Sequence, residues 1–184
     1  MKFTRQSIPE VVLIEPTING DCRGYFVETF RQDLFNEALG YKVTFGQDNE
    51  SKSSKGVLRG LHYQLPPYAQ TKLVRVIEGR VLDIAVDIRR SSATFGQYVS
   101  AELTGQNKHQ LLVPQGFAHG FVVLSKSAIF AYKVDNFYSP EHDRGIAFDD
   151  NQLKIDWLLP RSDIHLADRD RCHPSLTDVK DLFK

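Results

Sequence analysis

The chain has 184 residues, a length that suits one domain with a substantial hydrophobic core. Its 23 basic and 23 acidic residues give a formal net charge of zero, so it lacks the basic excess that is typical of nucleic-acid-binding proteins. No apolar run approaches the roughly 20 residues that span a bilayer, and residues 1–9 lack a secretory signal, so we expect a cytoplasmic protein without membrane or nucleic-acid partners.

Short runs of β-forming residues recur along the chain and are separated by Gly, Pro, Asn and Ser. This spacing predicts an all-β sandwich or barrel. A helix is predicted around residues 34–39, where Leu and Phe side chains share one face and Gly40 suits the C-terminal cap. The predicted strands cover residues 11–15, 24–29, 43–49, 57–63, 72–78, 80–89, 97–103, 110–113, 116–124 and 128–134.

The segment 80–89 shows the clearest alternation, with Leu82 and the next three even-numbered residues apolar on one face. Asp83, Ala85 and Asp87 share the other face. The sequence Glu-Gly-Arg at 78–80 predicts the turn of a hairpin between the strands at 72–78 and 80–89. The tail, residues 150–184, carries scattered apolar residues and many charges, which predicts short helical turns packed against the barrel.

The segment Arg-Gly-Leu-His-Tyr-Gln at 59–64 contains the first candidate for chemistry, His62. This histidine is either a hydrogen-bonded structural residue or a catalytic base near Arg59 and Lys72. Residues 59 and 62 differ by three and would point to opposite faces of a regular strand. A bulge at Gly60 would bring both side chains to one face.

The segment 114–121 contains the second histidine candidate, His119, which could equally cap a turn. Tyr132 is either a packing residue or a catalytic group. Gln47 and Asn49 share a strand face that could also be a solvated edge. In the segment 21–28, Phe26 and Glu28 share a face of what could be an ordinary strand.

Cofactor motifs are missing from the sequence. There is no glycine-rich dinucleotide fingerprint, and Cys22 and Cys172 lie far apart in no metal-type spacing, which favours free thiols. His62 and His119 lack a clear carboxylate partner, whereas catalytic metals usually need three protein ligands. The sequence therefore predicts neither a metal nor any other cofactor.

Taken together and in order, several motifs resemble those of the dTDP-4-dehydrorhamnose 3,5-epimerase family, a non-metal branch of the cupins. The resemblance covers residues 11–170. It implies an all-β, double-stranded β-helix jelly roll with a few short helices, forming one domain over 1–184. It also implies a homodimer in which N-terminal strands within 1–30 are exchanged. The matching segments are 21–28, 47–49, 59–64, 72–76, 113–121 and 138–141.

The resemblance implies a reaction as well as a fold. The enzyme would convert dTDP-4-dehydro-6-deoxy-α-D-glucose to dTDP-4-dehydro-β-L-rhamnose by removing protons at C3 and C5 beside the C4 ketone. His62 would be the base, Asp170 its orienting carboxylate, Tyr132 the acid on the opposite sugar face, and Lys72 the cation near the ketone oxygen. Substrate-binding roles would fall to Arg23, Phe26, Glu28, Gln47, Asp48, Asn49, Arg59, Lys72, His119, Tyr138, Asp143 and Arg169, with Tyr138 stacking on thymine.

The sequence leaves two questions open: which aspartate partners His62, and which related function the protein has. The tail reads Leu-Ala-Asp-Arg-Asp where Leu-Ser-Glu-Lys-Asp is typical, so either Asp168 or Asp170 could partner His62. Asp170 is preferred because it keeps the spacing from Leu166, and Asp83 is expected to support His119 from inside the barrel. The alternative functions are an epimerase acting only at C3 or only at C5, a binding-only cupin, and a metal-dependent cupin.

Overall fold

The computed structural model describes all residues 1–184 and contains two facing antiparallel sheets with a separate two-stranded hairpin. The helices are α1 (Gln32–Leu39) and α2 (Asp168–Arg171), with a 3₁₀ turn at Arg161–Asp163. The strands are β1 (Lys2–Arg5), β2 (Val12–Glu15), β3 (Ile18–Asp21), β4 (Gly24–Val27), β5 (Gln47–Ser54), β6 (Leu58–Gln64), β7 (Lys72–Glu78), β8 (Arg80–Asp87), β9 (Tyr98–Thr104), β10 (Gln110–Val113), β11 (Phe117–Val123), β12 (Ser127–Val134) and β13 (Asp143–Gly145).

The strand order defines the architecture. One sheet runs β1-β2-β10-β7-β12-β5 and the other runs β13-β6-β11-β8-β9, so neighbours in each sheet come from distant parts of the chain. The chain thus passes repeatedly from one sheet to the other, which produces the double-stranded β-helix jelly roll of the cupins. The predicted all-β fold class is confirmed.

Apolar side chains form three cores, one between the sheets and one on each outer surface. The interior core includes Val74, Leu111 and Phe130. The outer surface of the five-stranded sheet is covered by the tail, which contributes Trp157 and Leu176. The outer surface of the six-stranded sheet is covered partly by α1. The tail therefore stabilises the five-stranded sheet and holds the charged helix α2 next to it.

Strand β8 shows how alternation serves two cores at once. Its even-numbered residues from Leu82 to Val86, with Ile88 just after the strand, pack under the tail, whereas Val81 and Ala85 lie in the interior core. Asp83, on the interior face, is fully buried. The predicted division of the two faces is correct, but neither face is exposed to solvent.

The predicted hairpin at 78–80 is wrong. β7 pairs with β10 and β12, whereas β8 pairs with β9 and β11, so consecutive strands lie in different sheets. Gly79 lies at the crossing with a φ of 87°, in the left-handed region that favours glycine. A single glycine between two strands can therefore mark a change of sheet as well as a reversal within one sheet.

Several boundaries differ from the predicted ones. β5 begins at Gln47 rather than at residue 43, because Val43 instead packs with the α1 core. β1, β3 and β13 were not predicted, since their short polar sequences form strands only through pairing with β2, β4 and β6. The α1 prediction is confirmed, including its left-handed cap at Gly40. No helix has the length and apolar character needed to cross a membrane.

The β3–β4 hairpin pairs only with itself and presents aromatic side chains to solvent. Phe26 is 70% exposed and Tyr25 is 59% exposed. The hairpin's one aromatic contact with the barrel is the Lys108 ammonium 4.8 Å above the Tyr25 ring. The N-terminal segment within 1–30 is thus divided: β1 and β2 belong to the chain's own sheet, and β3–β4 projects from it.

We predict that Gly79→Ala lowers the free energy of unfolding by about 1–3 kcal/mol, because a side chain is strained at positive φ. A Cβ there would also lie 2.1 Å from the Ser127 carbonyl oxygen. Gly46→Ala is the matched control, because its Cβ would meet only the Phe137 ring at 3.8 Å. Urea denaturation of both variants measures the difference, and equal stabilities would contradict the prediction.

Candidate active site

A cavity of about 500 Å³ lies between the two sheets and the tail, and it gathers most of the predicted site residues. β6 and β11 provide side chains from one sheet, while β5, β7 and β12 provide them from the other. α2 closes one side. The predicted site residues that line the cavity are Asn49, Arg59, His62, Lys72, His119, Tyr132, Arg169 and Asp170.

His62 and Asp170 form the central pair of the site. Nε2 of His62 lies 2.8 Å from Oδ1 of Asp170, a carboxylate that is only 4% exposed. The backbone N–H of Gly60 donates to Oδ2 of the same carboxylate at 3.5 Å. Asp168, the alternative partner, lies exposed at the start of α2. The structure thus selects Asp170.

The charges of this pair follow from burial and contact. Burial lowers the pKa of His62, and the Asp170 carboxylate opposes that effect without reversing it. Burial disfavours ionisation of Asp170, but the adjacent imidazoles of His173 and His62 and the Gly60 N–H hold the pKa of Asp170 well below its usual range. At neutral pH the pair is therefore a neutral imidazole donating a hydrogen bond to a carboxylate, as in a base with its orienting group.

The expected irregularity at Gly60 is present. β11 pairs His119 with His62 and Phe121 with Arg59, so the register shifts within β6 at this glycine. Gly60 has a φ of 129°, and a Cβ there would lie 2.6 Å from the Cα of Gly120. Only glycine permits this close approach, and the bulge brings Arg59 and His62 to the same cavity.

His119 has its own carboxylate partner inside the barrel. Nε2 of His119 lies 2.9 and 3.0 Å from the two oxygens of Asp83, and both residues are buried. Burial raises the pKa of Asp83, and His119 opposes this. The expected support of His119 by Asp83 is confirmed. Each of the two cavity histidines is thus oriented by a different aspartate.

Lys72 and Tyr132 lie on the sheet opposite His62. Lys72 begins β7, and Tyr132 pairs with Asn49 across the β12–β5 ladder. Burial lowers the pKa of Lys72 to about 8, partly offset by the nearby carboxylates of Asp143 and Asp83. Burial raises the pKa of Tyr132, so the phenol stays protonated at neutral pH. The cavity therefore has an imidazole base on one wall and an acidic O–H on the other.

The rim of the cavity carries two polar networks. Arg169 donates to Oδ2 of Asp143 at 2.8 Å, and the Tyr138 hydroxyl donates to the same oxygen at 3.1 Å. Gln47 donates to Oδ1 of Asn49 at 2.9 Å. These predicted binding residues adjoin the cavity and join its wall to the loop after β12.

Four predicted site residues lie away from the cavity. Asp48 points to the opposite face of the six-stranded sheet, where it accepts hydrogen bonds from Lys133 at 2.8 and 2.9 Å. This follows from alternation, since its neighbour Asn49 points inward. Arg23 forms an ion pair with Asp21 on the projecting hairpin. Phe26 is exposed on that hairpin, and Glu28 is exposed just after it.

Sequence reasoning missed part of the cavity wall. Phe121 and Phe130 stack with their ring centroids 4.0 Å apart and form an apolar floor. Alternation could have identified both residues, because they lie two positions from His119 and Tyr132 on the same strands. Ser51 likewise follows Asn49 on β5 and lines the cavity.

The expectation that His62 and His119 lack a clear carboxylate partner is wrong for both histidines. His62 has a carboxylate partner, and His173 adds a second imidazole, so their ligand atoms and that of Asp170 lie within 4.8 Å of one another. However, Nε2 of His62 is directed at Asp170 in a hydrogen bond rather than at a shared centre. This arrangement fits a base and its orienting group.

Comparison with known proteins gives a consistent answer. A family model described as dTDP-4-dehydrorhamnose 3,5-epimerase matches residues 5–178. The chain is 55% identical to the enzyme of that name from Shigella flexneri over 170 residues, covering 92% of this chain and 93% of the relative. It is 52% identical to the enzyme of the same name from Pseudomonas aeruginosa, covering 97% and 98%.

A solved structure of a related enzyme has a closely similar fold. The crystal structure of dTDP-6-deoxy-D-glucose-3,5-epimerase from Legionella pneumophila, in complex with dTDP-4-keto-L-rhamnose, superposes with a TM-score of 0.95. The two sequences are 46% identical, and the match covers 100% of this chain and 97% of that one.

We predict that Lys72 titrates near pH 8 in the folded protein, because burial disfavours its charged form. Its charge is present below this pH and lost above it. NMR titration of lysine side chains measures the midpoint, and Lys72→Arg identifies the signal by removing it. If every lysine signal titrated near the ordinary value of about 10.4, the prediction would be wrong.

Proposed function

The chain belongs to the dTDP-4-dehydrorhamnose 3,5-epimerase family, and on that premise we propose that it converts dTDP-4-dehydro-6-deoxy-α-D-glucose to dTDP-4-dehydro-β-L-rhamnose. The protein is an isomerase, a carbohydrate epimerase. One observation carries the proposal: the His62–Asp170 pair and the Tyr132 hydroxyl belong to opposite walls of a single cavity. Inversion of a carbon requires this arrangement, because the proton leaves one face and returns to the other.

The C4 ketone makes the chemistry accessible. Hydrogens on C3 and C5 are both adjacent to the carbonyl, so removal of either leaves an enolate whose negative charge lies largely on the C4 oxygen. A cation beside that oxygen stabilises the charge as it develops. Lys72 is suited to this role, because it lines the cavity and is protonated at neutral pH.

His62 is the proposed base for both carbons. Its lowered pKa keeps the imidazole neutral at pH 7, and Asp170 holds the ring and stabilises the imidazolium formed on proton transfer. Tyr132 then delivers a proton to the opposite face of the enolate. After each inversion His62 carries one extra proton and Tyr132 lacks one, so solvent exchange restores both groups before the next step.

The same cavity offers groups for the rest of the substrate. Guanidinium groups bind phosphate oxygens in pairs, which suits Arg59 to the pyrophosphate. Asn49 and His119 can hydrogen-bond the sugar hydroxyls, and the exposed ring of Tyr138 can stack on thymine. The reaction is redox-neutral and the substrate already carries its ketone, so the proposed chemistry requires no cofactor.

We also propose that the protein acts as a homodimer. The β3–β4 hairpin has aromatic side chains in solvent and no sheet neighbour in its own chain. Docked on a second copy, it would bury Phe26 and bring Arg23 and Glu28 to the partner's cavity. This accounts for three predicted binding residues that lie away from the chain's own site.

Both cysteines are free, which suits the reducing cytoplasm.

We predict that the wild-type protein, dialysed against chelator, incorporates deuterium at C3 and C5 during incubation with the 4-keto sugar nucleotide in heavy water. Each inverted carbon gains one deuterium, and proton NMR of the product measures both positions. Label at only one carbon would identify a single-position epimerase. Unlabelled, unchanged substrate would indicate a binding-only protein, and recovery of activity on adding metal would indicate a metal-dependent enzyme.

Two variants separate the base from the acid in this assay. Turnover of His62→Asn should fall by about 10²–10⁴-fold, and exchange at C5 should stop, because no group remains to remove the proton. Tyr132→Phe should continue to exchange at C5 but give little inverted product. Circular dichroism of both variants controls for folding. Undiminished exchange in the first variant would refute the base assignment.

We predict that two inactive variants regain activity when mixed, because each site takes its base and its hairpin from different subunits. His62→Asn supplies an intact hairpin, and Arg23→Ala/Phe26→Ala supplies an intact cavity. After unfolding and refolding together, about a quarter of wild-type activity should return, since half of the dimers are mixed and have one complete site. Each variant refolded alone is the control, and no recovery on mixing would contradict the exchange.

A further inference from the structure

His173 lies directly behind the proposed catalytic pair, outside the motifs that carry the family resemblance. It follows α2 by two residues, and its side chain is 15% exposed. Its ring is edge-on to the ring of His62, with centroids 5.5 Å apart and an interplanar angle of 82°. The base therefore has a second imidazole packed against it on the side of the tail.

The ring nitrogen of His173 is buried beside the carboxylate without a hydrogen bond. Nε2 lies 3.4 Å from Oδ1 of Asp170, the oxygen that His62 also contacts, and has no partner that meets hydrogen-bond geometry. A buried ring nitrogen without a partner is costly, so such groups in folded proteins call for an explanation. A small rotation of the ring or the carboxylate would complete a hydrogen bond.

Gly145 provides the space that His173 occupies. It pairs with His62 across the β13–β6 ladder, and a Cβ built on it would lie 2.3–2.5 Å from three atoms of the His173 ring. Its φ is not in the left-handed region, so the backbone itself would accept alanine. Residue 145 therefore has no side chain because the His173 ring occupies the space that a Cβ would need.

We propose that His173 is a positioning residue of the epimerase, which donates a hydrogen bond from Nε2 to Oδ1 of Asp170 and thereby sets the basicity of His62. The inference rests on the proposed function for its catalytic meaning. A further donor on Oδ1 draws charge from the carboxylate, so Asp170 stabilises the imidazolium of His62 less. His62 then stays neutral and available as a base at lower pH.

The other charged groups around His62 do not substitute for this donor. Lys72 and Arg169 both disfavour its protonated form by their positive charge. Arg169 Nε donates a hydrogen bond to the same Oδ1 at 3.4 Å, but its side chain is half exposed and its guanidinium also donates to Asp143. Across the ladder, His119 is committed to Asp83. His173 is thus the buried imidazole donor available to Asp170 from the tail side.

The test is an NMR titration of the His62 ring in the substrate-free protein, comparing wild type with His173→Phe and His173→Gln. Phenylalanine keeps the ring and removes the donor, so the His62 midpoint should rise by about half to one pH unit. Glutamine can place an N–H near the same position and should restore the midpoint. If His173 only packs, the phenylalanine variant will titrate as wild type, and the proposal will be overturned.

Gly145→Ala tests the same proposal without changing any ionisable group. Its methyl displaces the His173 ring, so it should raise the His62 midpoint by a similar amount, and the double variant with His173→Phe should show no further rise. An unchanged midpoint in a folded Gly145→Ala protein would count against the proposal. Because the titration needs no substrate, its outcome stays distinct from the heavy-water assay. In the active enzyme, the acidic limb of the kcat/KM profile should shift by the same amount.

Discussion

The hydrogen bond between Nε2 of His62 and Oδ1 of Asp170 is the interaction on which the site depends. It joins residues 108 positions apart, one on an inner strand of the five-stranded sheet and one on a four-residue helix in the tail. The helix has little intrinsic stability at that length. Its position is fixed by the apolar tail residues, which pack on the outer surface of the same sheet. Packing on one face of the sheet thereby orients a base on the other.

A barrel with few buried charges would be simpler to stabilise, yet this one buries Asp83, His119 and Asp170 and half-buries Lys72 around one cavity. Buried ionisable groups cost free energy unless they are paired. Each aspartate here accepts hydrogen bonds from an imidazole, and the lysine lies within the field of two carboxylates. The result is a set of groups whose protonation states differ at one pH, which is what proton removal on one face and delivery on the other requires.

Alternation along the strands carried most of the correct inference and also explains one error. It grouped Asp83 with Ala85 on one face of β8, and from His119 and Tyr132, which the family resemblance placed in the site, it reaches Phe121 and Phe130 two positions away. It could not reveal that β7 and β8 lie in different sheets, because the side-chain period is the same whether a strand pairs with its predecessor or crosses away from it.

The sequence by itself determined the all-β class, the helix α1 with its cap, and, through the motifs of the family resemblance, eight of the side chains that line the cavity. These features depend on local periodicity and on short motifs, which are visible in a linear chain. Only the tertiary structure decided that Asp170 rather than Asp168 reaches His62, that Asp48 turns away, and that His173 occupies the space left by Gly145. Such contacts depend on how the tail folds back over the sheet, and no local pattern specifies the distance between residues so far apart in sequence.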